Sequence, residues 1–178
     1  LVIRRQRQMC IRDRWGGSPV VHGDSVYSAT TSYSLRVVRT DLATGKTRWD
    51  VGPQSKQSWP TGHPVVHGES VYIAGNHGLY ALSMEDGALK WLSKAPGLTG
   101  QAIIVDDLAF IAGKKAINAI SLSNGRKKWR YKFDGEARTG AAYADGVLFV
   151  RTEDTLFALD AVKGSTPRWQ TPSSYLWG

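Results

Sequence analysis

The fold is decided by residues 63–91, HPVVHGESVYIAGNHGLYALSMEDGALKW. Short runs rich in Val, Tyr, Ile and Leu alternate there with the turn signals HGE, NHG and EDG. Such runs, punctuated every eight to ten residues, predict strands near 64–67, 70–74, 78–82 and 88–92. The run LYALS alternates large and small apolar residues, which suits a strand covered on both faces. No sustained 3.6-residue apolar period is present, so no helix is expected.

Outward from this stretch the same pattern returns. It reads SPVVHGDSVYSATTSYSLRVVRTDLATGKTRWDV at 18–51, QAIIVDDLAFIAGKKAINAISLSNGRKKWRY at 101–131 and AAYADGVLFVRTEDTLFALDAVKGSTPRWQ at 141–170. Trp49, Trp91, Trp129 and Trp169 are 42, 38 and 40 residues apart. Gly45, Gly87, Gly125 and Gly164 precede them by four or five positions, and Tyr27, Tyr72, Phe110 and Phe149 by 19 to 22. The pairs Thr61-Gly62, Thr99-Gly100 and Thr139-Gly140 keep a similar period. One four-stranded sheet buries too little surface alone, whereas radial stacking lets each sheet cover its neighbour. The expectation is an all-β propeller of four-stranded antiparallel blades near 18–52, 63–94, 101–133 and 140–171.

Composition agrees. The 178 residues are 42% hydrophobic and 21% charged, enough for a core and too little charge for a disordered chain. No run of 18 apolar residues exists, so no transmembrane segment is expected. The single cysteine, Cys10, excludes an intrachain disulfide framework and any multi-cysteine metal site. Residues 1–14, LVIRRQRQMCIRDR, stand apart: they hold five arginines and one acid, half of the net charge of +8. They lack the apolar stretch and cleavage site of a signal peptide. The string resembles a translated sequencing adapter and is expected to be non-native, leaving 15–178 as repeat.

The runs DLATGKTRW (41–49), LSMEDGALKW (82–91), SLSNGRKKW (121–129) and LDAVKGSTPRW (159–169) resemble the tryptophan-docking motif of pyrroloquinoline-quinone-type (PQQ-like) propeller repeats, the quinoprotein-dehydrogenase-like group. SPVVHGDSVY and HPVVHGESVY resemble the start of the same repeat. The resemblance implies that each tryptophan stacks on the glycine turn of an adjacent blade, where a missing Cβ allows the ring to approach. Gly45, Trp49, Gly87, Trp91, Gly125, Trp129, Gly164 and Trp169 are the structural docking residues on this reading. It also implies a ring of about eight blades, of which the four units are half; the chain then reads as a fragment whose open blade edges can self-associate. WD-repeat propellers fit less well, since Trp49-Asp50 is the only Trp-Asp pair.

Chemistry-bearing residues are few. A dehydrogenase of this type needs a quinone, a Ca²⁺ held by carboxylate and amide oxygens, and an Asp base. Units 38 to 42 residues apart leave little room for active-site insertions. Asp24, Glu69, Glu85, Asp86, Asp106, Asp107 and Asp145 fall in turns, where Asp and Asn satisfy their own backbone. His22, His63, His67 and His77 match no zinc spacing. No catalytic, cofactor-binding or metal residue is assigned, and no cofactor is expected. RKKWRYKF (126–133) interleaves cations and aromatics, a pattern that suits an anionic polymer or an outermost strand protected by charge. The outer-strand reading is adopted, with no nucleic-acid partner expected.

The resemblance therefore implies a non-enzymatic scaffold or binding module for protein partners. It would be exported or periplasmic and bacterial, similar to the envelope propeller lipoproteins that scaffold outer-membrane barrel assembly. Trp59, His63 and Arg138, ahead of the first strands of their blades, are the possible interaction rim. The alternative is a fragment of a quinone-dependent alcohol or sugar dehydrogenase whose active-site blades lie elsewhere.

Overall fold

The computed structural model describes residues 17–31, 35–52, 60–164 and 166–172, except for the side chains of residues 31, 138 and 139. The segment 1–14, Trp59 and Trp177 lie outside the described residues. Sixteen strands form four antiparallel sheets, each a chain-order meander. Blade 1 holds β1 (Val20–His22), β2 (Ser25–Thr31), β3 (Leu35–Asp41) and β4 (Thr47–Val51). Blade 2 holds β5 (Val65–His67), β6 (Ser70–Gly75), β7 (Gly78–Ser83) and β8 (Leu89–Lys94). Blade 3 holds β9 (Ile103–Val105), β10 (Leu108–Gly113), β11 (Ala116–Ser121) and β12 (Lys127–Lys132). Blade 4 holds β13 (Ala137–Ala144), β14 (Val147–Thr152), β15 (Thr155–Asp160) and β16 (Pro167–Pro172). The four strands expected around 64–92 are β5 to β8, and the described residues contain no helix.

The first strands of successive blades touch, β1 beside β5, β5 beside β9, and β9 beside β13, so they form the inner ends. The two middle strands of blade 2 are buried almost throughout, while β8 is largely exposed. The core lies between blades rather than within one. Tyr27, Leu35, Val37, Ile73 and Tyr80 fill the first junction. Tyr72, Leu79, Ile111 and Ile120 fill the second, and Phe110, Phe133, Leu148 and Phe157 the third. Each sheet thus removes its neighbour's apolar face from water, which drives the stacking.

One turn recurs between the third and fourth strands. The amides of Gly45, Gly87, Gly125 and Gly164 donate to the carbonyls of Asp41, Ser83, Ser121 and Asp160, at 2.8 to 3.0 Å. These glycines adopt φ between +56° and +76°, where a side chain is strained. Just beyond the turn every fourth strand carries a bulge. In blade 2, Ala81 pairs with Trp91 and Leu82 with Leu89, leaving Lys90 unpaired. Arg48, Lys128 and Arg168 occupy the same place in the other blades. The bulge re-aims the residue after it, which is always the repeating tryptophan.

Candidate functional site

The bulge turns Trp49, Trp91 and Trp129 toward the next blade. Their indole N–H groups donate to the carbonyls of Met84 (3.1 Å), Leu122 (2.9 Å) and Ala161 (3.1 Å). Each acceptor lies three residues ahead of the turn glycine of that next blade. A Cβ on Gly87 would stand 3.0 Å from Trp49, and one on Gly125 2.7 Å from Trp91; one on Gly164 would overlap the Trp129 ring. Each indole also leans on its own blade's aromatic, with ring centroids 6.0, 5.8 and 5.8 Å from Tyr27, Tyr72 and Phe110. Gly45 has nothing within 4 Å of its absent Cβ, and Trp169, 47% exposed, rests on Phe149 alone among the described rings.

The sequence reading missed two parts of this arrangement. The cation before each tryptophan is the bulge residue, and three of the four reach back to the first hairpin or the turn. Arg48 bonds Asp24 and Asp41, Lys90 bonds Glu69 O and Ser70, and Arg168 bonds Asp160. The dipeptides Arg48-Trp49, Lys90-Trp91, Lys128-Trp129 and Arg168-Trp169 were the available signal. The second part is Arg39, which stands where the other blades have Ala81, Ala119 and Ala158. It donates to Met84 O at 2.8 Å beside Trp49, bonds Ser25 and lies over the Tyr27 ring.

At the inner ends the repeated glycines allow backbone to meet backbone. A Cβ on Gly62 would come within 2.7 Å of Gln101 N, and one on Gly17 would overlap the backbone of His63. His63 is half-buried in this contact. The Oε1 of Gln101 is buried and without a hydrogen-bond partner among the described residues. Arg138 lies inside β13, not ahead of it, because that strand begins at Ala137. The inner ends bring His63 close to Gly17.

The acids are engaged in turns. Asp41 Oδ1 accepts from the backbone of Ala43 and Thr44 and from the Thr44 hydroxyl, and Oδ2 accepts from Arg48. The Arg48 bond, with those of Thr44, holds the Asp41 carboxyl well below the usual range. Asp160 repeats the arrangement: the amide of Lys163 and then Arg168 lower its pKa to about 2. Arg48 and Ser25 lower Asp24, and Ser83 with the Ala88 amide lowers Asp86. Asp106 and Asp145 sit at φ of 51° and 48°, turn conformations that Asp tolerates. His22 and His67 are exposed in the matching first hairpins. No three His, Cys, Asp or Glu side chains gather among the described residues.

The aromatic half of β12 faces blade 4. Trp129 and Tyr131 pack on the third junction and Phe133 is buried within it. The cations Lys127 and Arg130 face blade 2 instead, across from Ile120 and Asn118.

This geometry can be set beside known proteins. The family model described as outer membrane protein assembly factor BamB matches residues 5–131 and 113–175. The chain belongs to the BamB-like family of PQQ-type propellers. Its match begins within the segment set apart on composition. Among solved structures, BamB from Moraxella catarrhalis is 20% identical, with a TM-score of 0.75 over 89% of this chain and 50% of that one. The quinohemoprotein alcohol dehydrogenase ADHIIG from Pseudomonas putida HK5 is 16% identical, with a TM-score of 0.71 over 87% and 33%. A europium-containing methanol dehydrogenase is 14% identical, with a TM-score of 0.70 over 85% and 40%. At these identities the likeness is one of fold. This BamB-like chain spans half the length of the BamB structure. A comparison with curated proteins finds no match.

Proposed function

We propose that this chain is a non-enzymatic, protein-binding propeller of an exported or envelope protein in bacteria. The observation that carries the reading is the use of the acids: Asp41, Asp86 and Asp160 serve backbone amides and arginines within tight turns. Family membership supports a protein partner, because the family description is that of an assembly factor for outer-membrane proteins. His63 belongs to the rim facing that partner, with Trp59 and Arg138. To test this, the chain is exported to the periplasm with a photo-crosslinking amino acid at position 63. An adduct with an outer-membrane assembly protein is expected. Absence of any protein adduct at 63, 59 and 138 overturns the reading.

The superposition on two dehydrogenases favours a second reading, a piece of a quinone-dependent alcohol or sugar dehydrogenase. The described residues do not fit that group. The inner ends bring glycine backbone against the backbone of Gln101 and His63, and the carboxylates of Asp41 and Asp160 accept from backbone amides within turns. A stoichiometric quinone absorbance surviving gel filtration, with dye reduction on adding an alcohol, would establish the second reading.

We propose further that Gly45, Gly87, Gly125 and Gly164 with their tryptophans hold the blades together. The two unmatched halves, Gly45 in blade 1 and Trp169 in blade 4, then let copies of the chain associate.

A further inference from the structure

The three junctions between blades are not equivalent. Between blades 3 and 4 three rings meet, Tyr131 and Phe133 each within 5.8 Å of Phe157. Strand register identifies the same positions between blades 2 and 3. Phe157 faces Val150 as Asn118 faces Ile111, and Tyr131 faces Ile117 as Ser93 faces Leu79. Phe133 donates its amide to Lys115 O as Ala95 donates to His77 O, in matching turns. Three aromatic side chains are thus replaced by Ser93, Ala95 and Asn118. Between blades 1 and 2 the position of Asn118 holds Tyr80, only 1% exposed.

The replacement leaves a cavity of about 280 Å³ lined by Ala95 and Asn118, with Lys114, Lys115, Lys127 and Arg130 around it. Asn118 is 5% exposed, and its carboxamide is not fully enclosed but stands at the wall of this cavity. A carboxamide there offers a donor and an acceptor where the corresponding positions of the other two junctions hold a ring, Tyr80 or Phe157. The rim has changed in the same sense. Lys127 and Arg130 take the register positions that Leu89 and Leu92 hold in blade 2. Lys115 lies 3.8 Å from Glu136, and no ion pair engages Lys114, Lys127 or Arg130 among the described residues.

We propose that this pocket binds a carboxylate side chain of an acidic peptide segment on a protein partner. The Asn118 amide donates to the inserted carboxylate, and Lys127 and Arg130 compensate its charge. The volume falls just under the ~300–1,000 Å³ usual for small-molecule sites. One inserted side chain fits it, while the ring of cations serves neighbouring acids outside. The inference rests on the protein-binding reading and gives it a recognition chemistry.

The test is fluorescence anisotropy of the full chain with a labelled Glu-rich peptide, its Gln-for-Glu counterpart, and the variants Asn118→Phe and Lys127→Glu/Arg130→Glu. Saturable binding of the Glu peptide is expected, weakened at least tenfold by the double charge reversal. Asn118→Phe restores a ring to the junction, so it should abolish binding without lowering the thermal midpoint. The exposed double variant keeps the test decisive if Asn118→Phe does not fold. No saturable binding, equal binding of the Gln peptide, or unchanged binding by the double variant overturns the proposal. So does displacement by inorganic phosphate beyond that by chloride at equal ionic strength, which assigns the pocket to small anions. Failure here with cross-linking through position 63 intact removes this pocket alone; failure of both removes the protein-binding reading.

Discussion

Trp91→Ala tests whether the docks hold the blades together. Trp91 joins three contacts: its ring covers Gly125, lies 5.8 Å from Tyr72, and its N–H donates to Leu122 O. Truncating a buried Trp to Ala costs about 3–5 kcal/mol through lost transfer energy and the cavity left behind. Trp91 is only half-buried, which pulls toward the lower end, but Leu122 O also loses its donor, which pushes back. About 4 kcal/mol is the expected loss. With a urea m-value of roughly 2 kcal/mol per molar, the unfolding midpoint should fall by about 2 M. Trp169→Ala, measured at chain concentrations low enough for the monomer, is the internal control, because that ring has an equivalent intrablade neighbour and no dock within the chain. Its cost should stay near ~1 kcal/mol, and its midpoint close to that of the parent. Urea unfolding followed by far-ultraviolet circular dichroism avoids confounding by the lost fluorophore. Equal shifts for the two variants would refute the assignment of stability to the docks.

Gly125→Ala should destabilise more than Gly23→Ala in the same urea assay, although both have positive φ, because only at Gly125 does the new methyl meet an indole. Asp160 has a folded pKa of about 2, below its unfolded value, so its contribution is full above about pH 4 and disappears as the pH falls toward 2. Acid unfolding of Asp160→Asn should therefore be flatter than that of the parent between those limits, and identical acid limbs would contradict the Lys163 and Arg168 contacts. Copies of the chain should associate in sedimentation, and Trp169→Ala should weaken that association; a monomer at all concentrations, or association indifferent to Trp169, would exclude the outer dock.

The repeat was legible because its markers answer to hard constraints. A turn at positive φ asks for Gly125, and a ring that must lie on that turn asks for a tryptophan at a fixed distance. The strand boundaries followed, since β5 to β8 are separated by the turns at HGE, NHG and EDG. The inner ends were less legible. Thr139-Gly140 matches Thr99-Gly100 in letters, but Leu98 bridges Gly113 where Ala137 faces Thr152. Arg138, not Thr139, therefore takes the position of Thr99, and the motif reading slipped by one residue. Arg39 was invisible for a different reason. An arginine in a strand reads as a solvent-facing charge until the structure shows two backbone and side-chain acceptors waiting at the blade junction.

The strand β12 explains why the pocket escaped a reading based on alternation. RKKWRYKF suggests a strict division of rings and cations, but the bulge at Lys128 breaks the period, so Lys127 and Arg130 share a face. Each docked blade repeats the bulge and the indole bond, so the shared machinery is supplied at all three junctions alike. What differs between junctions is then free of that duty. Relative to the third junction, the second gives up three rings, places the Asn118 carboxamide at the opening and gains two cations at its edge. Loss of packing alone would favour small apolar residues in their place, as at Ala95. Asn118, Lys127 and Arg130 go further, each exchanging apolar contact for a donor aimed at one opening. That joint change of chemistry, found at one of the three described interfaces, is what a recognition site requires and a packing defect does not.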